Sequence, residues 1–137
     1  MIKIEDLSSY EKNLKKCDIL LLKTGFWRWR YRNKGIYRLE NPGVSPEVAD
    51  YIRSKFENIR CVGIDSISVS SYANRGLGRK THQIFLKDNE YRGDPVFLLE
   101  DLNLSSRYLD RLKTIFICPL MIENIDSAPC TVIGMLR

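Results

Sequence analysis

Two four-residue apolar runs, Ile19-Leu20-Leu21-Leu22 and Cys61-Val62-Gly63-Ile64, flank a clearly marked helix start at Ser45-Pro46-Glu47, and this order constrains the fold more than any other feature. Serine is a favoured N-cap because its hydroxyl accepts from an otherwise orphaned backbone N–H. Proline suits the first helical position, and a glutamate in the first turn faces the positive end of the helix dipole. Val48, Tyr51, Ile52 and Phe56 then recur at helical spacing and make one apolar face. The first run extends from Asp18 through Lys23 and Thr24 and stops at Gly25, so it reads as a central strand buried on both faces. Strand, loop, helix and strand in this order form a crossover unit, which favours parallel pairing in a mixed sheet. The expected class is α/β.

The remaining segments alternate in the same way. Residues 4–16 read as one short amphipathic helix, with Asp6 as cap, Leu7, Tyr10 and Leu14 on one face and Lys12, Lys15 and Lys16 towards its end. In residues 26–42, Trp27, Trp29 and Tyr31 alternate with Arg28, Arg30 and Arg32 before Asn33, Lys34 and Gly35 break the run, so a partly extended loop or edge ribbon is expected. Residues 66–78, rich in Ser, Asn and Gly, read as a loop, 81–86 as a turn of helix, and 88–95 as a polar insertion. A short buried strand follows at 96–99, then a helix-like pattern over 102–112. Strands at 114–118, ended by Pro119, and at 130–136 complete the chain.

At 137 residues the chain has the length of one domain, taken to span 1–137. No stretch approaches the roughly 20 consecutive apolar residues needed to cross a bilayer, so no membrane association is expected. Met1-Ile2-Lys3-Ile4-Glu5-Asp6 has no secretory character, and a cytoplasmic location is the default expectation. Cys17, Cys61, Cys118 and Cys130 form no Cys-x-x-Cys pair and sit in or beside apolar segments, which reads as buried free thiols in a reducing compartment. The charge of +5, from 22 Lys and Arg against 17 Asp and Glu, is concentrated at Arg28, Arg30, Arg32, Lys34 and Arg38. That excess suits an anionic partner without specifying one.

Few residues carry a chemical signal. His82 is the sole histidine, and Glu100 stands directly after the apolar residues Val96-Phe97-Leu98-Leu99, where a strand end commonly faces a crevice in open α/β sheets. Asp65 holds the same position after the Cys61 run, so it either caps the Ser-rich loop or lines the same crevice together with Ser68. Gly76-Leu77-Gly78 lacks the third glycine of a nucleotide-binding loop. The set Trp27, Arg28, Trp29, Arg30, Tyr31 and Arg32 interleaves stacking faces with cations, as single-stranded nucleic acid would need. A strand's period of two generates the same alternation without a ligand, so a partner surface on an amphipathic ribbon is preferred to a nucleic-acid site.

Several segments together resemble the cyclase family, which includes bacterial kynurenine formamidases. Cys17-Asp18-Ile19-Leu20-Leu21-Leu22-Lys23-Thr24-Gly25 is similar to its "GD-x-VLL-x-TG" strand, and Val62-Gly63-Ile64-Asp65-Ser66-Ile67-Ser68 to its "GIDT-x-S" segment. His82 with Ile84, Phe85 and Leu86 resembles "H-x-x-LL". Leu98-Leu99-Glu100-Asp101-Leu102-Asn103-Leu104 resembles "ILE-x-L-x-NL", Pro119-Leu120 a terminal "PL", and Ser127-Ala128-Pro129 a final "G-x-PVR".

The resemblance implies a swivelling β/β/α-type fold and a metal-dependent hydrolase of amides such as N-formylkynurenine, with zinc or manganese as the metal. It also implies that His82 and Glu100 match two of the family's metal ligands. The family's early "H-x-G-T-H-x-D-x-P-x-H" motif, which supplies further ligands and the acid/base, has no counterpart here, and Thr131 stands where an arginine is expected. The expectation is an amide-hydrolase domain inactive by itself, a pseudoenzyme, assembled as a homodimer or higher homo-oligomer. The alternative is a noncatalytic binding or assembly module that uses residues 27–38 for an anionic or protein partner.

Overall fold

A computed structural model describes residues 1–87 and 93–137 of the chain. They form two compact units, Met1–Ser105 and Ser106–Arg137. The first holds a parallel sheet of β1 (Ile19–Leu22), β2 (Cys61–Ile64) and β3 (Phe97–Leu99), in that spatial order. Ile19 pairs with Cys61 and Leu22 with Ile64, while Cys61 pairs with Phe97 and Gly63 with Leu99. Its helices are α1 (Glu5–Ser8), α2 (Glu11–Leu14), α3 (Trp29–Arg32), α4 (Lys34–Leu39), α5 (Pro46–Lys55) and α6 (Arg75–Leu86).

The crossover unit is present as the sequence implies. Ser45 Oγ accepts from Val48 N at 3.3 Å, Pro46 opens α5, and the helix carries the chain from β1 to its parallel neighbour β2. Val48, Ile52 and Phe56 are fully buried and meet Val62, Ile64, Val69, Phe85 and Val96 in one core. A second crossover, through α6, links β2 to β3. The central strand is β2, buried along its whole length, whereas β1 lies at the edge of this sheet and is only half buried over its first three residues. A continuous apolar run does not distinguish these positions, because helices can cover an edge strand as they cover a central one.

Four other segments differ from expectation, each for a local reason. Residues 4–16 divide into α1 and α2, and the Ser8 hydroxyl donates to Glu5 O at 3.3 Å, a side-chain bond that favours a turn. Residues 26–39 are helical rather than a ribbon: a 3-10 turn at Phe26–Arg28 leads into α3 and α4. No described strand pairs with this segment, so helical bonds satisfy backbone groups that an extended run would leave unpaired. Asn33 separates the two helices by accepting from Gly35 N and Ile36 N.

The glycine-rich residues 75–78 lie inside α6, not in a loop, because Gly78 packs directly on Ser70, whose Cβ would stand 2.6 Å from an added Cβ. The pattern at 102–112 yields no helix beyond a 3-10 turn at Leu109–Arg111. Asn103 Oδ1 accepts from Ser105 N and Ser106 Oγ from Tyr108 N, so local turns take the backbone donors that a helix would use. Residues 88–92 of the polar insertion lie outside the described residues.

The second unit is an antiparallel pair, β4 (Leu112–Pro119) and β5 (Cys130–Leu136), with Phe116 opposite Ile133 and Pro119 opposite Cys130. Parallel and antiparallel pairing thus both occur in this α/β chain, in separate sheets. Cys61 is buried and Cys17 half-buried, but Cys118 and Cys130 are exposed, because the hairpin has too few layers to cover them. Among the described residues, no helix is long and apolar enough to cross a membrane.

Candidate functional site

The three parallel strands end along one margin of the sheet, and the residues that follow carry polar side chains: Thr24 after β1, Asp65 after β2 and Glu100 after β3. α6 presents His82 to the same margin, with His82 Nε2 3.2 Å from Glu100 Oε1. The Ser-rich loop closes the arrangement. Ser68 Oγ donates to Glu100 Oε1 at 2.8 Å, Val69 N donates to the same oxygen at 2.9 Å, and Ser70 Oγ lies 2.5 Å from His82 Nδ1. Asn41, almost fully buried, fixes the loop by donating to the carbonyls of Ser68 at 3.0 Å and Ser70 at 2.5 Å and accepting from Tyr72 N.

The Gly78 carbonyl, one turn before His82, is 3.1 Å from Nδ1 and accepts from Ser70 Oγ at 2.9 Å. A carbonyl oxygen can only accept, so this contact assigns a proton to Nδ1, while Nε2 directs its own proton at a carboxylate. A protonated ring satisfies both acceptors at once. The Glu100 hydrogen bond raises the His82 pKa above 6.5, helped by the Gly78 carbonyl and the Glu100 charge and opposed by burial. Burial would raise the Glu100 pKa, but hydrogen bonds from His82, Val69 and Ser68 outweigh it and hold the carboxyl below 4.5.

Both shifts bear on stability. A raised imidazole contributes fully below its unfolded value near 6.5 and loses that contribution as pH climbs through the folded value. A lowered carboxylate contributes above its unfolded value near 4.5 and loses it as pH falls through the folded one. The pair therefore stabilises most between about pH 4.5 and 6.5. Because His82 is the only histidine, its ring resonances in a proton NMR titration need no assignment. The expected midpoint is above 6.5 in the native chain and lower in Glu100→Gln, where burial acts with less opposition. A midpoint unmoved by that substitution would break the pairing argument.

Asp65 is not part of this group. It is fully buried, its Oδ1 accepting from Thr24 N at 2.8 Å and Thr24 Oγ1 at 2.5 Å and its Oδ2 from Gly25 N at 2.7 Å, so it fastens the end of β1 to the end of β2. Three participants had no signal in the sequence. Ser70 and Asn41 are ordinary polar residues whose roles depend on long-range approach. Asp101, with φ of 62°, receives the Tyr37 hydroxyl and an ion pair from Arg30, which fixes the backbone next to Glu100.

The basic-aromatic segment divides by role. The Arg28 guanidinium lies 5.6 Å from the Trp27 ring, and that of Arg30 lies 5.6 Å from the Tyr37 ring. Trp29 is 36% exposed and Tyr31 74%. Trp27, Arg30 and Tyr31 join Leu102 and Asn103 around a shallow, open depression.

Two donors, His82 and Glu100, converge. Among the described residues no group of three or more His, Cys, Asp or Glu side chains is placed to hold a metal ion, whereas a catalytic zinc takes three protein ligands and an open position. The described residues do not fit a complete catalytic metal centre. A family model described as "Putative cyclase" matches residues 1–71, just over half of the chain, and so takes in β1, α5 and β2 but stops short of His82 and Glu100. No curated protein and no solved structure matches the chain.

Proposed function

The chain belongs to the cyclase family, and from that premise we propose that it is a metal-dependent amide-hydrolase domain of the cyclase and kynurenine formamidase type that does not turn over substrate by itself. The observation that carries this reading is the meeting of the sole histidine with Glu100 beside the carboxyl ends of a parallel sheet. These two positions correspond to ligands for zinc or manganese in the family pattern, and the described residues bring no third His, Cys, Asp or Glu to them. As an isolated pair they hydrogen-bond to each other, so a metal ion or a substrate proton has to displace the His82–Glu100 contact to reach Nε2.

The test is hydrolysis of N-formylkynurenine with zinc or manganese supplied, comparing the chain with His82→Ala at equal metal loading. Both proteins should match buffer alone. Turnover that vanishes in the variant would prove a complete site and overturn the inactivity.

A second reading, a noncatalytic module that binds an anionic or protein partner through residues 27–38, is favoured by the exposure of Tyr31 and Trp29 beside several arginines. Under that reading binding weakens steeply with added salt, and His82→Ala leaves it unchanged.

A further inference from the structure

Ser70 carries a hydroxyl for which the metal-ligand reading has no use. Its Oγ lies 2.5 Å from His82 Nδ1, and His82 Nε2 lies 3.2 Å from Glu100 Oε1, so hydroxyl, imidazole and carboxylate form one line of hydrogen bonds. That order is the order of an activated nucleophile: a base within reach of the hydroxyl, and a third group that orients the base. Each member is held from elsewhere. Ser68 Oγ and Val69 N fix the carboxylate oxygen, and Ser70 N donates to Ser68 Oγ at 3.0 Å. The glycine at 78 keeps the approach clear, because a Cβ there would stand 2.8 Å from Ser70 Oγ. In the protonated ring Nδ1 donates to the Gly78 carbonyl. In the neutral ring that keeps its proton on Nε2, towards Glu100, the lone pair of Nδ1 faces the Ser70 hydroxyl.

We propose that Ser70 is a nucleophile that accepts acyl groups from aryl esters, with His82 Nδ1 as its base and Glu100 as the group that orients the ring. Oγ attacks the ester carbonyl carbon while its proton passes to Nδ1. The bond from that carbon to the aryl oxygen then breaks, the aryloxide leaves with the bonding pair, and the Nδ1 proton is released with it. Water next attacks the acyl carbon and gives a proton to Nδ1. The bond to Oγ breaks, Oγ takes that proton back, and the carboxylic acid departs. Aryl esters are the substrate class because an aryloxide is a good leaving group, so the step needs only a nucleophile and a base, the two groups present. Ser70 is half-buried, and Ile67 and Tyr72 in the same stretch of chain are 37% and 46% exposed, apolar surface that suits an aryl ring. The step uses no metal ion and is independent of the amide-hydrolase reading.

The full chain, kept in EDTA, is treated with a fluorophosphonate, which phosphonylates activated serines, and separately with p-nitrophenyl acetate. Peptide mass mapping should find the phosphonyl group on Ser70, and the labelled chain should no longer release p-nitrophenol from the ester. Ser70→Ala should abolish both reactions, and His82→Ala should slow both roughly 100-fold or more, the contribution of a positioned base. No label, a label on another residue, or a rate indifferent to His82→Ala overturns the proposal. The native sequence covers the case in which a variant misfolds. Unfolding it in urea should abolish the label on Ser70, since the activation comes from contacts that only the fold brings together, and equal labelling of folded and unfolded chain overturns the proposal as well. Because EDTA withholds metal ions, each of these outcomes is separate from whether N-formylkynurenine is hydrolysed when zinc or manganese is supplied.

Discussion

Asp65→Ala is expected to lower the stability of the Met1–Ser105 unit by about 2–4 kcal/mol, among the largest effects of any single substitution. The carboxylate is fully buried and takes three hydrogen bonds, two from backbone N–H groups and one from the Thr24 hydroxyl. Bonds to a charged acceptor contribute about 1.5–3 kcal/mol each, and the loss is offset in part because the Thr24 side of the junction is exposed and water can reach it. Asp65→Asn should also destabilise, because its amide sets an N–H donor against a backbone N–H whichever way it is turned. Urea denaturation followed by circular dichroism checks both: a lower midpoint at unchanged slope is the expected result. A change below about 0.5 kcal/mol, the range of ordinary surface substitutions, would show that the junction does not depend on this carboxylate.

Gly43→Ala should cost a comparable amount for a different reason, while Gly76→Ala should stabilise. Gly43 has φ of 57°, and an added Cβ would collide with the backbone nitrogen of Ser71 and stand 2.9 Å from its Cα. Left-handed strain alone costs roughly 1–2 kcal/mol. Relief of the clash must in addition move the 66–72 loop, which brings Ser68 to Glu100 and Ser70 to His82. The expected outcome is a loss of about 2–4 kcal/mol, together with a displaced His82 ring resonance. At Gly76 nothing lies within 4 Å of the added Cβ, and the residue is inside α6, where alanine is favoured over glycine by about 0.5–1 kcal/mol. Equal effects at the two positions would refute the geometric argument.

The core of the first unit was legible because burial, period and capping agree there. The Ser45-Pro46-Glu47 start, the apolar face of α5 and the two flanking runs each point to the same crossover, and the structure has it. The segment at 26–39 was misread because alternation of aromatic and basic residues describes side chains, while the choice between ribbon and helix depends on whether a strand is available as a neighbour. Gly76 and Gly78 look like loop residues in one dimension, yet Gly78 is needed where Ser70 approaches α6. The candidate site was half legible: a lone histidine and a carboxylate at a strand end stand out, but Ser70, Asn41 and Asp101 act through contacts that no spacing announces.

The parallel sheet also bears on the order in which the chain folds. β1 cannot pair with β2 until α5 and the segment before it have been gathered between them, since Ile19 meets Cys61, and β3 waits in turn for α6. Such distant pairings must overcome loop-closure entropy before they gain any contact, which makes them the slow events of folding. β4 and β5 are close neighbours in sequence, and a hairpin of this kind closes in about 1–10 μs. The β4–β5 pairing is therefore local enough to close before the parallel sheet has assembled, whereas each strand of that sheet has to wait for the helix that precedes its partner.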